Sequence, residues 1–175
     1  MSGSRSNELR PTIVTEVFVS VGSNVDPERN IRRALAELHR RFGGINASTV
    51  YQSPAQGFVG DDFLNLAVGF STEEDVHDII AQLREVEDLC GRDRDGARFG
   101  PRPMDLDLLL YGDLVLESPE LRLPRAETLE YAFVLGPLAE IAGDRRHPVT
   151  GRSFSEHWES FPAGLKNLEP VEVSG

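Results

Sequence analysis

The chain has 175 residues, of which 39% are hydrophobic and 27% charged, and it carries a net charge of −11. That length suits one domain with a real core, the balance is that of an ordinary globular protein, and the acidity argues against general nucleic-acid binding. No apolar stretch approaches the ~18 residues needed to span a bilayer, so no membrane role is expected.

The opening, MSGSRSNELRPT, lacks the apolar segment of a secretory signal and reads as a disordered polar tail over residues 1–12. The single cysteine, Cys90, excludes an internal disulfide framework and fits a reducing cytoplasm. It lies on the apolar side of a predicted helix, so it reads as a buried thiol rather than a nucleophile. Lys166 is the only lysine among 18 basic residues and stands outside any glycine loop. A phosphate-binding loop of the G-x-x-x-x-G-K-[ST] type is therefore excluded. Any phosphate must be handled by arginine.

Val17, Val19 and Val21 alternate with Phe18 and Ser20, the signature of a strand over 15–24 that stops at Gly22-Ser23-Asn24. Asp26-Pro27 opens a helix as N-cap and first-turn proline, with an apolar stripe of Ile31, Ala34, Leu35 and Leu38. Gly43-Gly44 ends it. A second strand is predicted over 48–53, a Pro/Gly-rich loop over 54–62 and a third strand over 63–72. Thr72 reads as the cap of a second helix, with Asp75 as capping-box partner and Val76, Ile79, Ile80, Leu83, Val86 and Cys90 inward. A charged, glycine-bearing loop (91–103) precedes a fourth strand, MDLDLLLYG (104–112). The order β-α-β-β-α-β predicts an α+β, ferredoxin-like fold: an antiparallel sheet with helices packed on it. A C-terminal extension follows: a short extended piece, LVLES, then LRLPRAETLEYAFVLGPLAEIAG as a loop followed by a helix, and HPVTGRSFSEHWESF as a closing loop and short helix. The expected organisation is one domain over 13–162, with a loosely ordered tail over 163–175.

Loop 91–103 holds Arg92, Arg94, Arg98 and Arg102 against Asp93 and Asp95, a local positive excess in an acidic protein. It leads into Asp105 and Asp107, which a strand places on one face while Leu106 and Leu108 point to the core. Two carboxylates that close repel unless a cation joins them. Magnesium takes one or two carboxylates plus phosphates and water, and the arginine fork suits phosphate oxygens. The pattern fits a Mg²⁺-nucleotide site. It also fits a solvated strand face with Arg–Asp ion pairs. Phe63, Asn65 and Phe133, at element starts, can line a flat heterocycle or simply belong to the core.

RFGPRPMDLDLL resembles the signature segment of the hydroxymethyl-dihydropterin pyrophosphokinase family, and VFVSVGSNVDPERNIRRAL, VYQSPAQGFVGDDFLNLAVGFST, VEDLCGRDRDGARFGPRPMDLDLLLYGD and FVLGPLAEIAGDRRHP, in chain order, extend the resemblance over most of the chain. The resemblance implies transfer of pyrophosphate from ATP to the pterin's hydroxymethyl oxygen, leaving AMP, in folate biosynthesis. It implies two Mg²⁺ ions on Asp105 and Asp107, phosphate contacts from Arg92, Arg94 and Arg102, and a pterin between Phe63 and Phe133. Asn65 would bond the pterin edge, and Ser53 and Pro54 would line the same pocket. Glu87, Leu108, Arg122 and Arg125 would lie near the nucleotide. The expected protein is a cytoplasmic monomer that binds small molecules.

Three positions depart from the family pattern. Arg125 replaces a histidine after Leu-Pro, Tyr131 replaces an arginine two residues before Phe133, and Arg84 stands where glutamine is common. They leave open a paralogue acting on a related pterin. A nucleotidyltransferase using Gly22-Ser23 with the D-x-D pair is a weaker rival, because the two motifs lie far apart in the chain. A non-catalytic ferredoxin-like binding module is the other alternative, and it would tolerate Asp→Ala at both 105 and 107.

Overall fold

The computed structural model of the chain describes residues 13–53, 62–91 and 103–173. In chain order the elements are β1 (Thr15–Ser23), α1 (Pro27–Phe42), β2 (Asn46–Ala47), β3 (Val50–Ser53), β4 (Phe63–Thr72), α2 (Val76–Leu89) and β5 (Asp105–Tyr111). There follow β6 (Leu116–Glu117), β7 (Arg122–Leu123), α3 (Glu127–Glu130), α4 (Ala132–Ala142), α5 (Phe154–Ser160), a 3-10 turn at Ala163–Leu165 and β8 (Glu169–Val171).

The main sheet runs β5-β1-β4-β3-β8, with β2 also on β4, and every neighbouring pair is antiparallel. Helix α1 carries the chain from β1 past β4 to β3, and α2 carries it from β4 past β1 to β5. Each crossover skips one strand, which is the predicted βαββαβ arrangement. β6 and β7 form a separate two-stranded ribbon.

Strand alternation divides the side chains between two layers. Val17, Val19, Val21, Leu64, Leu66, Val68, Leu106 and Leu108 face α1 and α2, where Ile31, Leu38, Ile79, Leu83 and Val86 complete the larger core. Cys90 is buried there, and burial pushes its thiol pKa up, as suits an inert thiol. On the opposite face Phe18, Ala67, Leu109 and Leu110 pack against Val134, Leu135 and Leu138 of α4 and Phe154 of α5. This second layer covers only part of its face. Beyond it the sheet face carries Ser20, Gly22 and Asn65.

Two local details differ from the sequence reading. The strand predicted over 48–53 starts only at Val50, and β2 (Asn46–Ala47) precedes it as a separate piece; between them the Ser48 hydroxyl accepts the Ala67 N–H at 2.9 Å in place of a ladder carbonyl. Helix α2 is capped by Asp75, whose carboxylate accepts the His77 N–H, while Thr72 accepts the Glu74 N–H one turn earlier. Past residue 162, where apolar residues are sparse, β8 pairs antiparallel with β3 and packs Val171 against the larger core. No helix among the described residues is long and apolar enough to cross a membrane.

Candidate active site

The polar half of the second face is assembled by register. Asp105 pairs with Gly22, Gly22 with Asn65, and Asn65 with Tyr51; one step along, Asp107 pairs with Ser20 and Ser20 with Ala67. Phe63 pairs with Ser53 at the end of the same face. Directly opposed residues share a face, and so do residues two apart. Asp105, Asp107, Asn65, Ser53 and Phe63, five of the residues singled out from sequence, therefore stand on one surface. Phe133, in the first turn of α4, packs against the second apolar layer, its ring stacked on Tyr131 with centroids 5.2 Å apart.

Asn65 is buried and donates to the Ser53 hydroxyl at 3.0 Å. Its amide oxygen lies over Gly22, where a Cβ would come within 2.7 Å of it. The glycine of the Gly-Ser-Asn turn is thus the room Asn65 needs. The next residue, Ser23, is fully buried and donates to the Pro103 carbonyl at 2.6 Å. That bond ties the end of β1 to the segment entering the Asp-Leu-Asp strand.

Asp107 sits in a poor environment for a charge. Desolvation, and then the neighbouring Asp105 carboxylate, push its pKa up to about 7, with Arg125 acting in the opposite sense. A β-bulge between Leu108 and Leu110 sets Arg125 nearby: the bulged Leu109 carbonyl accepts the Arg125 N–H at 3.1 Å. From there the guanidinium lies 3.6 Å from Asp107 and 3.0 Å from Glu127. Among the described residues no group of three or more His, Cys, Asp or Glu gathers to hold a metal. Two carboxylates without a third protein ligand fit magnesium, which completes its octahedron with water and substrate phosphates.

Supporting contacts come from both sides of the sheet. Glu87 is fully buried under β5 and accepts the Leu106 N–H at 2.9 Å, between the two aspartates in sequence. On α4, Glu140 accepts the N–H and the hydroxyl of Thr49 at 2.7 and 2.8 Å and also the Tyr51 hydroxyl. Burial raises the Glu140 pKa, but those donors outweigh it and leave the carboxyl below its ordinary value. The clamp fixes α4, and so Phe133, relative to β3.

Three residues assigned to the nucleotide side lie off this surface. Glu87 and Leu108 are buried on the α1/α2 side, and Arg122 is exposed on β7 opposite Glu117. Pro54, Arg92, Arg94 and Arg102 fall within 54–61 and 92–102, outside the described residues. Gly22, Ser23, Glu127 and Glu140 were not singled out as site residues from sequence. The Gly-Ser-Asn turn was the one available signal for the first two. Nothing local marks the other two, whose partners are remote strands or a neighbouring turn.

A ferredoxin-like sheet whose one face carries a paired-carboxylate strand beside Asn65, Ser53 and Phe63 defines the class, an α+β domain. Residues 18–143 match the family model for 7,8-dihydro-6-hydroxymethylpterin-pyrophosphokinase (HPPK), and the chain belongs to that family. It is 35% identical over 161 residues to the 2-amino-4-hydroxy-6-hydroxymethyldihydropteridine pyrophosphokinase of Pseudomonas aeruginosa, covering 89% of this chain and 98% of that one. The enzyme of the same name from Methylorubrum extorquens is also 35% identical over 161 residues, covering 89% and 100%. The mitochondrial folate synthesis bifunctional protein of Arabidopsis thaliana is 35% identical over 158 residues, 86% of this chain. The present chain spans only 27% of that protein. Among solved structures, Plasmodium falciparum HPPK-DHPS with STZ-DHP superposes with a TM-score of 0.67 at 14% identity, over 90% of this chain and 43% of that one. At that identity the likeness is one of fold.

Proposed function

We propose that the protein transfers the pyrophosphoryl group of ATP to the hydroxymethyl oxygen of 6-hydroxymethyl-7,8-dihydropterin, giving AMP and the pterin diphosphate for folate biosynthesis. The observation that carries this reading is that one sheet face holds Asp105, Asp107, Asn65, Ser53 and Phe63. Family membership and the names of the full-length bacterial relatives support it.

The pterin lies between Phe63 and Phe133, with its edge on Asn65, which Ser53 and Gly22 hold in place, and with Pro54 at the rim. Asp105 and Asp107 hold two Mg²⁺ ions, which when bound neutralise the phosphate charge and align the triphosphate. Arg92, Arg94 and Arg102 take phosphate oxygens, an assignment resting on guanidinium chemistry and on the family pattern. The hydroxymethyl oxygen forms a bond to the β-phosphorus, the bridge from β-phosphorus to the AMP oxygen breaks, and we assign the hydroxyl proton to Asp105. Such a transfer needs positioning and charge stabilisation more than covalent help. Glu87 positions the aspartate strand from beneath. All these residues belong to one chain, which supports a monomer as the working unit, and the lone buried Cys90 supports a cytoplasmic setting.

The test is incubation with ATP, Mg²⁺ and the hydroxymethyl-dihydropterin, with nucleotides resolved by chromatography. AMP formed only in the presence of the pterin is the expected result. ADP would mean an ordinary kinase, and no turnover despite pterin binding would direct attention to Arg125 and Tyr131 and to a related pterin.

A further inference from the structure

Arg125 stands between two carboxylates on different elements: Nη2 is 3.6 Å from Asp107 on β5, and Nε is 3.0 Å from Glu127 at the start of α3. Its backbone is held at both ends, the N–H by the Leu109 carbonyl and the carbonyl by the Thr128 N–H, each at 3.1 Å. The side chain itself is 39% exposed. The nearer contact is to Glu127, while the longer one, beyond hydrogen-bond range, is electrostatic and points at the aspartate pair.

We propose that Arg125 is the resident counter-cation of the Asp105/Asp107 pair and that Glu127 is its second berth, so that arrival of a magnesium-bound triphosphate moves the guanidinium from Asp107 onto a phosphate oxygen. The reasoning is one of charge. Two close carboxylates in a desolvated strand repel each other, and a cation beside them lowers that cost before any metal arrives. A guanidinium is charged at every working pH, so it competes with the metal at all times. It also bonds phosphate bidentately where geometry allows. Glu127 keeps it within reach of both positions. Metal alone should therefore bind against Arg125, and metal with nucleotide should bind with its help. The identity of the triphosphate rests on the function proposed above; the competition for Asp107 does not.

The experiment is calorimetric titration of the full chain with Mg²⁺ alone and then with Mg²⁺ plus α,β-methylene-ATP. For Arg125→Gln the expected results have opposite signs: Mg²⁺ alone binds about fivefold tighter, and the magnesium-analogue complex binds at least about tenfold weaker. Arg125→Lys, which keeps the charge, should stay near wild type for metal alone. Glu127→Gln should weaken Mg²⁺ binding in the wild-type background by leaving Arg125 on Asp107, and should change it far less in the Arg125→Gln background. An Arg125→Gln protein that binds Mg²⁺ no tighter overturns the proposal, as does equal weakening by Glu127→Gln in both backgrounds. If Arg125→Gln binds the analogue as well as wild type does, the transfer to phosphate is overturned. A wild-type protein that forms no AMP would sink the activity while leaving the metal titrations readable.

Discussion

The amide oxygen of Asn65 lies over Gly22, 2.7 Å from where a Cβ on that glycine would stand. The contact links the Gly-Ser-Asn turn of β1 to the residue proposed to meet the ligand edge. Gly22→Ala should push the amide off the Ser53 hydroxyl. We expect a stability loss of about 1–3 kcal/mol from the forced shift and pterin binding weakened at least about tenfold, since a well-placed amide is lost. Thermal unfolding and pterin fluorescence titration measure the two. Unchanged pterin affinity would remove Asn65 from the site.

Asp107 trades stability for function. Its folded pKa of about 7 lies above the ordinary 3.8, so between those values the folded chain holds a proton that the unfolded chain has released. Its contribution to stability therefore declines as pH rises from about 4 to about 7. Asp107→Asn should remove that decline and leave the protein at least as heat-stable at pH 7.5, while AMP formation falls by at least about 10³. Melting temperatures from pH 4 to 8 and the nucleotide assay test both halves. A variant that melts well below wild type at neutral pH contradicts the reading.

The same carboxyl makes metal binding a proton exchange. With a pKa near 7, Asp107 must lose its proton before it can ligate. Mg²⁺ affinity should fall about tenfold per pH unit below pH ~6, and binding at pH 7 should release protons. Calorimetry in two buffers of different ionisation enthalpy reads the proton count. A buffer-independent heat would show that Asp107 is already ionised.

Glu140 holds α4 to β3 through Thr49 and Tyr51. Its folded pKa lies below 4.5, so its contribution is fully present above the ordinary value and is lost as pH falls through the lower folded one. Glu140→Gln should cost about 1–2 kcal/mol at pH 7, with the gap to wild type closing in acid. Pterin binding should weaken as well, because Phe133 rides on α4. If the cost persists unchanged in strong acid, the carboxylate is not its source.

Much of this molecule is readable along the chain. Alternation in TEVFVSVGS, the apolar stripe of α1 and the Asp-Leu-Asp run follow from local periodicity and local chemistry, and they suffice for the βαββαβ order and for the aspartate pair. The sequence motifs were equally sufficient for the family. What lay out of reach depends on pairs distant in sequence. Only the sheet register brings Gly22 under Asn65, and only the bulge at Leu109 aims Arg125 at Asp107. Only the packing of α4 across β3 gives Glu140 its three donors. The split at Ser48 and the pairing of β8 belong to the same class, since a hydroxyl or an edge strand takes its role from whichever backbone lies opposite. Periodicity is a property of neighbours along the chain. The countercharge, the room for a side chain and the partner of a buried carboxylate are properties of neighbours in space, and the tertiary structure alone decided them.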